Sequence, residues 1–381
     1  MQSVEDACHI FEQMVSMNTI SSRSNLGLID YVAELLEPSG FDLVLTKNSD
    51  QTKANLFASI GPDDQRGLIL SGHSDVVPVS DTGWDTDPFK LTNKDNRFYG
   101  RGTCDMKGFL AIAVSIGKKI KAASLKRPLH LAISYDEEIG CLGAPKMLET
   151  LNPAYEKPAW AVIGEPTMLN PVHGHKSITV TKSTFKELAA HSSLPENGIN
   201  AIQYASLFIQ KLYQCKEAWA SSPVSEKQER SINTGLITGG LAPNIVADFC
   251  EVIWDLRQSS SDHPEAVMNE VQELTWQLIE QAPRDLEIFH KTLVSVSGLS
   301  PDPDSSLADL LLRLTGSGSC QQVHYLTEAG LFQREGIDAI VCGPGSIDQA
   351  HQNNEYLDCK QFEQAVSLIE NLIVEKCCKG D

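Results

Sequence analysis

The chain contains 381 residues, of which 41% are hydrophobic, so it is long enough to bury a large core and to form two domains. Its formal net charge of -19 argues against nucleic acid or an anionic membrane as a partner, because both repel an acidic surface. No apolar run approaches the roughly 18 residues that a transmembrane helix needs, and the acidic start at residues 1–6 is atypical of a signal peptide, so we expect a soluble cytoplasmic protein.

The first part of the chain alternates between helical patterns and short apolar strands. Helices are predicted at 3–17, 25–36, 106–122 and 145–151, and strands at 41–45, 55–60, 68–70, 129–135 and 159–163. Because the apolar strands are continuous and are separated by helices, we predict an α/β fold with a mainly parallel sheet that is covered on both faces.

The middle of the chain has a different pattern, without candidate metal ligands. It combines strands at 177–180, 231–234 and 247–256 with helices at 199–219 and 264–281 and a polar linker at 221–230. A helix at 305–314, a strand at 338–342 and a helix at 360–377 follow. We therefore predict a catalytic domain formed by residues 1–177 and 291–381, interrupted by an inserted α+β domain at 178–290.

Polar side chains follow several predicted strands where the strands end. His73 and Asp75 follow the strand at 68–70, and Glu137 and Glu138 follow the strand at 129–135. In the same way, Glu165 follows the strand at 159–163, and His351 lies beyond the strand at 338–342. Ligands bind at the carboxyl edge of open α/β sheets, so we expect these side chains to converge on one cleft.

The His73–Ser74–Asp75 unit suggests a metal ligand with a supporting acid. Where a His-x-Asp unit leaves a strand, its two side chains point the same way, so the Asp75 carboxylate can orient the His73 imidazole. The alternative is a loop histidine that is hydrogen-bonded to a nearby acid, with no metal involved.

The candidate ligands suit two metal ions better than one. Two imidazoles and three carboxylates are too many for one tetrahedral zinc with an open position, but they fit two ions that share a bridging carboxylate. We assign the bridge to Asp105, because it lies in a glycine-rich turn where a short acid can reach both ions. The five candidates are His73, Asp105, Glu138, Glu165 and His351.

Two adjacent acids, Glu137 and Glu138, need separate roles because neighbouring side chains in a loop diverge. We assign ligation to Glu138, and to Glu137 the role of general base that takes a proton from the attacking water. A solvated acidic loop at 136–138 is the alternative.

The ten cysteines include no C-x-x-C pair, so we expect reduced thiols and no disulfide framework. Cys104 is the only cysteine that flanks a candidate site, and no histidine is locally paired with it. Thiol catalysis is therefore not favoured.

Five spaced motifs resemble the M20 family of co-catalytic metallopeptidases. They are residues 72–78 (GHSDVVP), 102–108 (GTCDMKG), 136–138 (DEE), 163–167 (IGEPT) and 190–193 (AHSS). Residues 327–333 (TEAGLFQ) and 342–351 (CGPGSIDQAH) are most similar to the branch of this family that deacetylates N2-acetyl-L-ornithine.

The resemblance implies two zinc ions per subunit, with cobalt as a possible replacement. It implies that His73, Asp105 and Glu165 hold one ion, and that Asp105, Glu138 and His351 hold the other. It also implies Glu137 as the base and a cis peptide bond after the bridging acid, at Asp105–Met106.

The resemblance further implies that the inserted domain serves as a lid and dimerisation domain in a homodimer. His191 would then reach the active site of the partner subunit and stabilise the oxyanion; without the resemblance it would be interpreted as a surface histidine. Asn244 and Arg257 match positions that contact substrate, and an arginine can grip an α-carboxylate through two hydrogen bonds. An ordinary salt bridge is the alternative for Arg257.

Two further residues are candidates for contact with a small-molecule substrate. We expect Gly343 to let backbone amides approach the substrate and Glu328 to face the substrate amine.

The implied activity is that of a metal-dependent amidohydrolase. A hydroxide that bridges the metal ions would remove the acetyl group from N2-acetyl-L-ornithine, giving L-ornithine and acetate in arginine biosynthesis. The alternatives are another M20 hydrolase (a dipeptidase, a succinyl-diaminopimelate desuccinylase or a deacylase of other N-acyl amino acids), a single-metal enzyme, and a binding protein that keeps the fold without turnover.

Overall fold

The computed structural model describes residues 2–222, 230–259, 264–282 and 286–379. These residues form two compact units. The first consists of Met1–Gly174, Pro301–Val323 and Thr327–Asp381, and the second of His175–Ser300 and His324–Leu326. The domain boundaries at 178 and 290 remain a prediction, and most of the predicted linker at 221–230 lies outside the described residues.

Apart from a short helix at 329–334, which was not predicted, the α-helices of the described residues agree with the predicted ones to within a few residues, except that the helix expected at 106–122 is shorter. They are α1 (Gln2–Ser16), α2 (Leu26–Leu36), α3 (Gly108–Gly117), α4 (Ala144–Glu149), α5 (Ala201–Ala220), α6 (Pro264–Gln281), α7 (Ser306–Thr315), α8 (Ala329–Arg334) and α9 (Cys359–Ile373). None of them is both long and apolar enough to span a membrane.

The strands include every predicted one and several that were not predicted. They are β1 (Asp42–Lys47), β2 (Ala54–Ile60), β3 (Leu68–His73), β4 (Thr92–Lys94), β5 (Arg97–Tyr99), β6 (Leu129–Ser134), β7 (Trp160–Pro166), β8 (Val172–His175), β9 (Ser177–Lys186), β10 (Ala190–His191), β11 (Ser231–Gly239), β12 (Ile245–Val246), β13 (Phe249–Gln258), β14 (Glu287–Val296), β15 (Gln321–Val323), β16 (Asp338–Gly343) and β17 (Tyr356–Asp358).

The large sheet of the first unit has the order β1-β2-β6-β3-β7-β16-β8-β15. Its centre is parallel, because β3 pairs in parallel with both β6 and β7, and β7 pairs in parallel with β16. The β1–β2 and β2–β6 pairs are antiparallel. The prediction of an α/β fold with a mainly parallel core is therefore confirmed.

The central strands are buried on both faces, which explains why their sequences are continuous apolar runs. Every residue of β2, β3 and β6 is buried. Helices cover the sheet, and α3 is buried along its whole length, packed against α1 and α9. Phe11 of α1 stacks on Phe362 of α9, with 5.3 Å between the ring centroids.

The second unit has the predicted α+β architecture. Its four-stranded antiparallel sheet has the order β11-β13-β9-β14, and α5 packs against three of these strands and against α6. Burial alternates along β9, so one face of the sheet lies in the core. Asn200 caps α5, because its side chain accepts hydrogen bonds from the main-chain amides of Ile202 and Gln203.

Candidate metal centre

The strands of the first unit carry the predicted ligands to one edge of its sheet. His73 is the last residue of β3, and Glu165 is the penultimate residue of β7. Glu137 and Glu138 follow β6, and His351 follows β16. Since these four strands are adjacent and parallel, their carboxyl ends meet at the same edge.

Asp105 lies between the two histidines. Its Oδ1 is 3.0 Å from Nε2 of His73, and its Oδ2 is 3.2 Å from Nε2 of His351. The residue belongs to the irregular turn Thr103–Lys107, which begins after the left-handed Gly102 and leads into α3. This turn shortens the helix expected at 106–122 and places the carboxylate at the sheet edge. The Asp105–Met106 peptide bond is cis, as the family resemblance implies.

His73 is oriented by a main-chain carbonyl, and this corrects the role that the sequence suggested for the Asp75 carboxylate. Nδ1 of His73 lies 2.9 Å from the carbonyl oxygen of Asp75. The nearest Asp75 carboxylate oxygen is 3.7 Å away, too far for a hydrogen bond. In the neutral tautomer that donates from Nδ1, the lone pair on Nε2 faces the carboxylates of Asp105 and Glu165, at 3.0 and 3.7 Å.

The Asp75 carboxylate instead organises the acidic loop after β6. Its Oδ1 accepts a hydrogen bond from the main-chain amide of Glu137 at 3.1 Å, and its Oδ2 from that of Glu138 at 3.3 Å. The Ser21 hydroxyl donates to the same Oδ2 at 2.7 Å. Asp136, which precedes the two glutamates, is in the left-handed region with φ 57° and forms an ion pair with Lys53. The loop is therefore held in place, unlike the freely solvated acidic loop considered as the alternative.

Glu138 lies next to the second histidine, His351. Its Oε2 lies 2.9 Å from Nε2 of His351, a residue that has a φ of 63°. His351 is half exposed through its side chain, whereas the carboxylates of Asp105 and Glu138 are buried. Asp105 and Glu138 raise the pKa of His351 to about 10. The centre therefore stabilises positive charge at its exposed side.

The donor atoms fit a divalent cation. Two groups of side chains each offer donor atoms that lie within 4.8 Å of one another. One group is His73, Glu137 and Glu165, and the other is His73, Asp105 and Glu138. Within the part of the chain that the structure describes, Oε1 of Glu138 and Oε1 of Glu165 are buried without a hydrogen-bond partner. A buried carboxylate oxygen without a partner is costly unless a cation satisfies it. Imidazole with carboxylate is a donor set that zinc and cobalt accept.

The electrostatics of the buried acids agree with this fit. Burial raises the pKa of Glu165 well above its ordinary value, and the negative charge of Asp105 raises it further. Burial also raises the pKa of Glu137, which His73 lowers and Glu138 raises. Like charges enclosed together disfavour ionisation, and a bound cation removes that penalty. The structure thus brings all five predicted ligands and Glu137 together, while their division between two ions remains a prediction.

One buried acid of this region, Glu355, was missed by the sequence reasoning. It lies four residues after His351, is 1% exposed, and accepts hydrogen bonds from the main chain around Asp105. Arg101 pairs with it at 2.7 Å. Nothing in the local sequence distinguishes Glu355 from a surface glutamate.

The weaker substrate-binding candidates of the first unit differ in their surroundings. Gly343 is buried, its amide donates to the Thr167 hydroxyl at 3.2 Å, and a Cβ there would lie 2.0 Å from the carbonyl oxygen of Gly164. Close packing against Gly164 is thus sufficient to explain why a glycine occupies position 343, without any contact to a ligand. Glu328 is buried, and among the described residues neither of its carboxylate oxygens meets the geometry of a hydrogen bond. Burial raises the pKa of Glu328 to about 7, although the nearby Ser134 hydroxyl lowers that pKa.

The remaining candidates belong to the second unit. His191 is exposed, with Nδ1 2.7 Å from the Ser193 hydroxyl, and its short strand β10 pairs with β12, which follows Asn244. Arg257 lies on β13 with Nε 3.6 Å from Oδ1 of Asp255. This ion pair is the alternative that the sequence analysis considered for Arg257.

All ten cysteines are free, as expected. Cys104 is buried with Sγ 3.3 Å from the carbonyl oxygen of Ser346. Burial raises the pKa of the Cys104 thiol well above its ordinary value, so it is a poor nucleophile.

Comparisons with known proteins agree with the fold and the motifs. Residues 69–375 match the peptidase family M20/M25/M40. The chain is 31% identical to the acetylornithine deacetylase of Myxococcus xanthus, over 96% of each chain. It is 32% identical to the acetylornithine deacetylase of Klebsiella pneumoniae (strain 342), over 97% of each chain.

Two solved structures show the same fold at lower identity. Aminopeptidase PepT from Bacillus cereus ATCC 10987 superposes with a TM-score of 0.75 at 17% identity, over 98% of each chain. The YXEP protein of Bacillus subtilis, described as a dinuclear metal-binding peptidase of the M20 family, superposes with a TM-score of 0.69 at 17% identity, also over 98% of each chain. With the family match spanning most of the sequence, the chain belongs to the hydrolases of peptidase family M20/M25/M40.

Proposed function

We propose that the protein is a metal-dependent amidohydrolase that removes the acetyl group from N2-acetyl-L-ornithine, giving L-ornithine and acetate, in cytoplasmic arginine biosynthesis. The observation that carries this proposal is the position of Asp105 between His73 and His351 at the carboxyl edge of the sheet. The choice of substrate is supported by the relatives named acetylornithine deacetylase, which match nearly the full length of the chain.

Two divalent ions would be held by the five donors of the first unit. His73, Asp105 and Glu165 would hold one ion, and Asp105, Glu138 and His351 the other. Zinc or cobalt bound here would polarise the scissile carbonyl and lower the pKa of a water molecule.

Glu137 carries out the proton transfers. It takes a proton from the attacking water while the water oxygen adds to the acetyl carbonyl carbon. It then returns the proton to the amine nitrogen as the carbon–nitrogen bond breaks, which gives the free α-amine and acetic acid, and the acid ionises to acetate. Asp75 holds the main chain of this base through the hydrogen bond to its amide.

Four residues named in the sequence analysis contact the substrate in this proposal. Glu328, which is buried, faces the ornithine side-chain amine. Arg257 and Asn244 bind the α-carboxylate. Gly343 lets backbone amides approach the substrate.

We assign the oxyanion contact to His191 of a second copy in a homodimer, and the role of lid and dimerisation domain to the inserted domain. Its exposure in this chain leaves the imidazole available for such a contact.

A substrate comparison tests the proposal. The zinc-loaded protein is assayed in parallel with N2-acetyl-L-ornithine, succinyl-diaminopimelate, other N-acyl amino acids and a dipeptide, by kcat/KM. We expect N2-acetyl-L-ornithine to exceed each of the others by at least about tenfold, a discrimination that one buried ion pair can supply. A higher kcat/KM for the dipeptide or the succinyl substrate would move the activity to another M20 hydrolase. Zinc binding without hydrolysis of any of them would favour a binding protein.

A further inference from the structure

Glu355 connects the two segments that carry Asp105 and His351. It lies four residues after His351, immediately before β17, and is 1% exposed. Its carbonyl oxygen accepts a hydrogen bond from the amide of Gly100 at 3.1 Å, and β17 pairs with β5. The side chain reaches from this junction into the turn that holds Asp105.

Each of the two carboxylate oxygens of Glu355 accepts two hydrogen bonds. Oε1 accepts from the main-chain amides of Cys104 at 2.8 Å and Asp105 at 3.0 Å. Oε2 accepts from the amide of Gly102 at 2.9 Å and from Nη1 of Arg101 at 2.7 Å. Four donors use up the acceptor capacity of a carboxylate, so Glu355 is available neither to ligate a metal nor to accept a proton.

Arg101 neutralises this buried acid and is itself held in place. The residue is 2% exposed, its Nη2 donates to the carbonyl oxygen of Pro78 at 3.3 Å, and its guanidinium lies 5.3 Å from the ring centroid of Trp84. Since a buried carboxylate without a partner is strongly destabilising, the pair acts as one element.

The segment after His351 is also fixed from its other side. The Ser80 hydroxyl donates to Oδ1 of Asn353 at 2.7 Å, and the amide of Asp85 donates to Oδ1 of Asn354 at 2.8 Å. The His351 segment is thus anchored independently of Asp105. Glu355 is the side chain of that segment that binds the Asp105 main chain directly.

We propose that Glu355 is a positioning residue that sets the distance between the Asp105 carboxylate and the His351 imidazole and thereby the affinity of the centre for a divalent cation. The inference rests on the proposed function, because it takes these two residues to be ligands. Groups that orient metal ligands from behind typically change metal affinity by about 10–100-fold when they are replaced.

The Glu355→Gln variant tests this role. The glutamine amide retains one oxygen, and the charged Arg101 guanidinium is the strongest donor to it. The amide nitrogen, which is itself a donor, then faces the main-chain N–H groups of Cys104 and Asp105. These donors repel one another, so the turn that carries Asp105 is pushed away from residue 355, while the side-chain volume stays the same. Asp338→Asn is the matched control, because the Asp338 carboxylate also accepts from a hydroxyl and an amide, those of Ser305 at 2.6 Å and Leu307 at 3.2 Å, at the opposite end of β16.

The measurements are a Zn²⁺ titration of each metal-free protein by calorimetry, the visible absorption spectrum with Co²⁺, and the Tm of the metal-free form. We expect Glu355→Gln to bind Zn²⁺ about 10–100-fold more weakly and to change the Co²⁺ spectrum. Asp338→Asn should lower Tm without changing either metal readout. If Glu355→Gln does not fold, Glu355→Asp, which keeps the charge but withdraws the carboxylate by one methylene, should show the same loss of affinity.

Unchanged Zn²⁺ affinity in the folded Glu355 variant, beside a wild-type protein that binds Zn²⁺, would overturn the positioning role alone. The same conclusion would follow from an equal loss of affinity in Asp338→Asn. A wild-type protein that binds no divalent cation would overturn the proposed function and this inference with it.

Discussion

The carboxylate of Asp75 accepts a hydrogen bond from the main-chain amide of Glu137, at 3.1 Å from Oδ1. This contact links the strand that carries His73 to the loop that carries the proposed base. The carboxylate does not hydrogen-bond the His73 imidazole, whose Nδ1 donates to the Asp75 carbonyl instead. The Asp75 carboxylate therefore holds the loop of the proposed base, and only the Asp75 carbonyl orients the proposed metal ligand His73.

Replacing Asp75 with asparagine should lower kcat by about 10–100-fold and leave Zn²⁺ affinity within about threefold of wild type, because an amide cannot accept from both loop amides and a displaced base transfers protons poorly. Steady-state kinetics and a zinc titration measure the two quantities. Ser21→Ala, which removes the hydroxyl donor but keeps both amide contacts, is the control and should change kcat much less. A loss of Zn²⁺ affinity in Asp75→Asn as large as in His73→Ala would contradict this role.

Replacing His351 or Glu138 with alanine should remove one of two bound ions and lower kcat by at least about 100-fold, because each change deletes a donor next to Asp105. Metal content per chain and kcat are the measurements. His173→Ala, a change of a half-buried histidine on β8, should alter neither. Activity that survives both the His351 and the Glu138 change would favour a single-metal enzyme.

Replacing Arg257 with lysine should raise KM by at least about tenfold with a smaller change in kcat, because lysine keeps the charge but loses the two-point grip on a carboxylate. Asp255→Asn separates this role from the ion pair, since it removes the partner of Arg257 and leaves the guanidinium in place. We expect KM to stay near the wild-type value in Asp255→Asn. Equal effects of the two changes on KM would indicate that the ion pair accounts for Arg257.

His130 should make the protein less stable as the pH falls. It is buried in β6 against Phe57, with 5.2 Å between the ring centroids, and burial lowers its pKa to about 3. Below about pH 6.5 the unfolded chain binds a proton at this residue and the native protein does not. The contribution of His130 to the free energy of unfolding is therefore fully present above that pH and is lost progressively towards about pH 3. At about pH 5 the expected loss is about 2 kcal/mol.

The pH dependence of the free energy of unfolding, measured for wild type and His130→Phe, isolates this contribution from those of other buried histidines. We expect a shallower decline below about pH 6.5 in the variant. Parallel curves for the two proteins would show that native His130 takes up its proton at the ordinary pKa.

The sequence predicted the central strands and the convergence of the ligands because both depend on local signals. A strand buried on two faces is a continuous apolar run, and a polar residue directly after it marks the carboxyl edge of a parallel sheet. His73, Glu138 and Glu165 all carry this signal. The small sheet formed by β4, β5 and β17 was not predicted, because its strands have only three residues each, too few to show a periodic pattern.

Contacts between residues far apart in the chain left no such signal. Glu355 binds the amide of Asp105 across 250 positions, so only the folded chain identifies it as part of the centre. The role of Asp75 was misassigned for a related reason. The spacing of His73 and Asp75 is visible in the sequence, whereas the Glu137 amide that donates a hydrogen bond to the Asp75 carboxylate lies 62 residues later. Strand β14 was also missed, since it lies at the edge of its sheet and most of its residues are exposed.

The central claim, hydrolysis of an acetyl amide at this metal centre with Glu137 as base, is tested most directly by the rate of acetate release from N2-acetyl-L-ornithine. The zinc-loaded protein is compared with its Glu137→Gln variant and with a chelated sample to which zinc is restored. We expect turnover by the wild type, a loss of at least about 100-fold in the variant with zinc still bound, and a loss on chelation that zinc reverses. Turnover by Glu137→Gln near the wild-type rate, or turnover unaffected by chelation, would contradict the account.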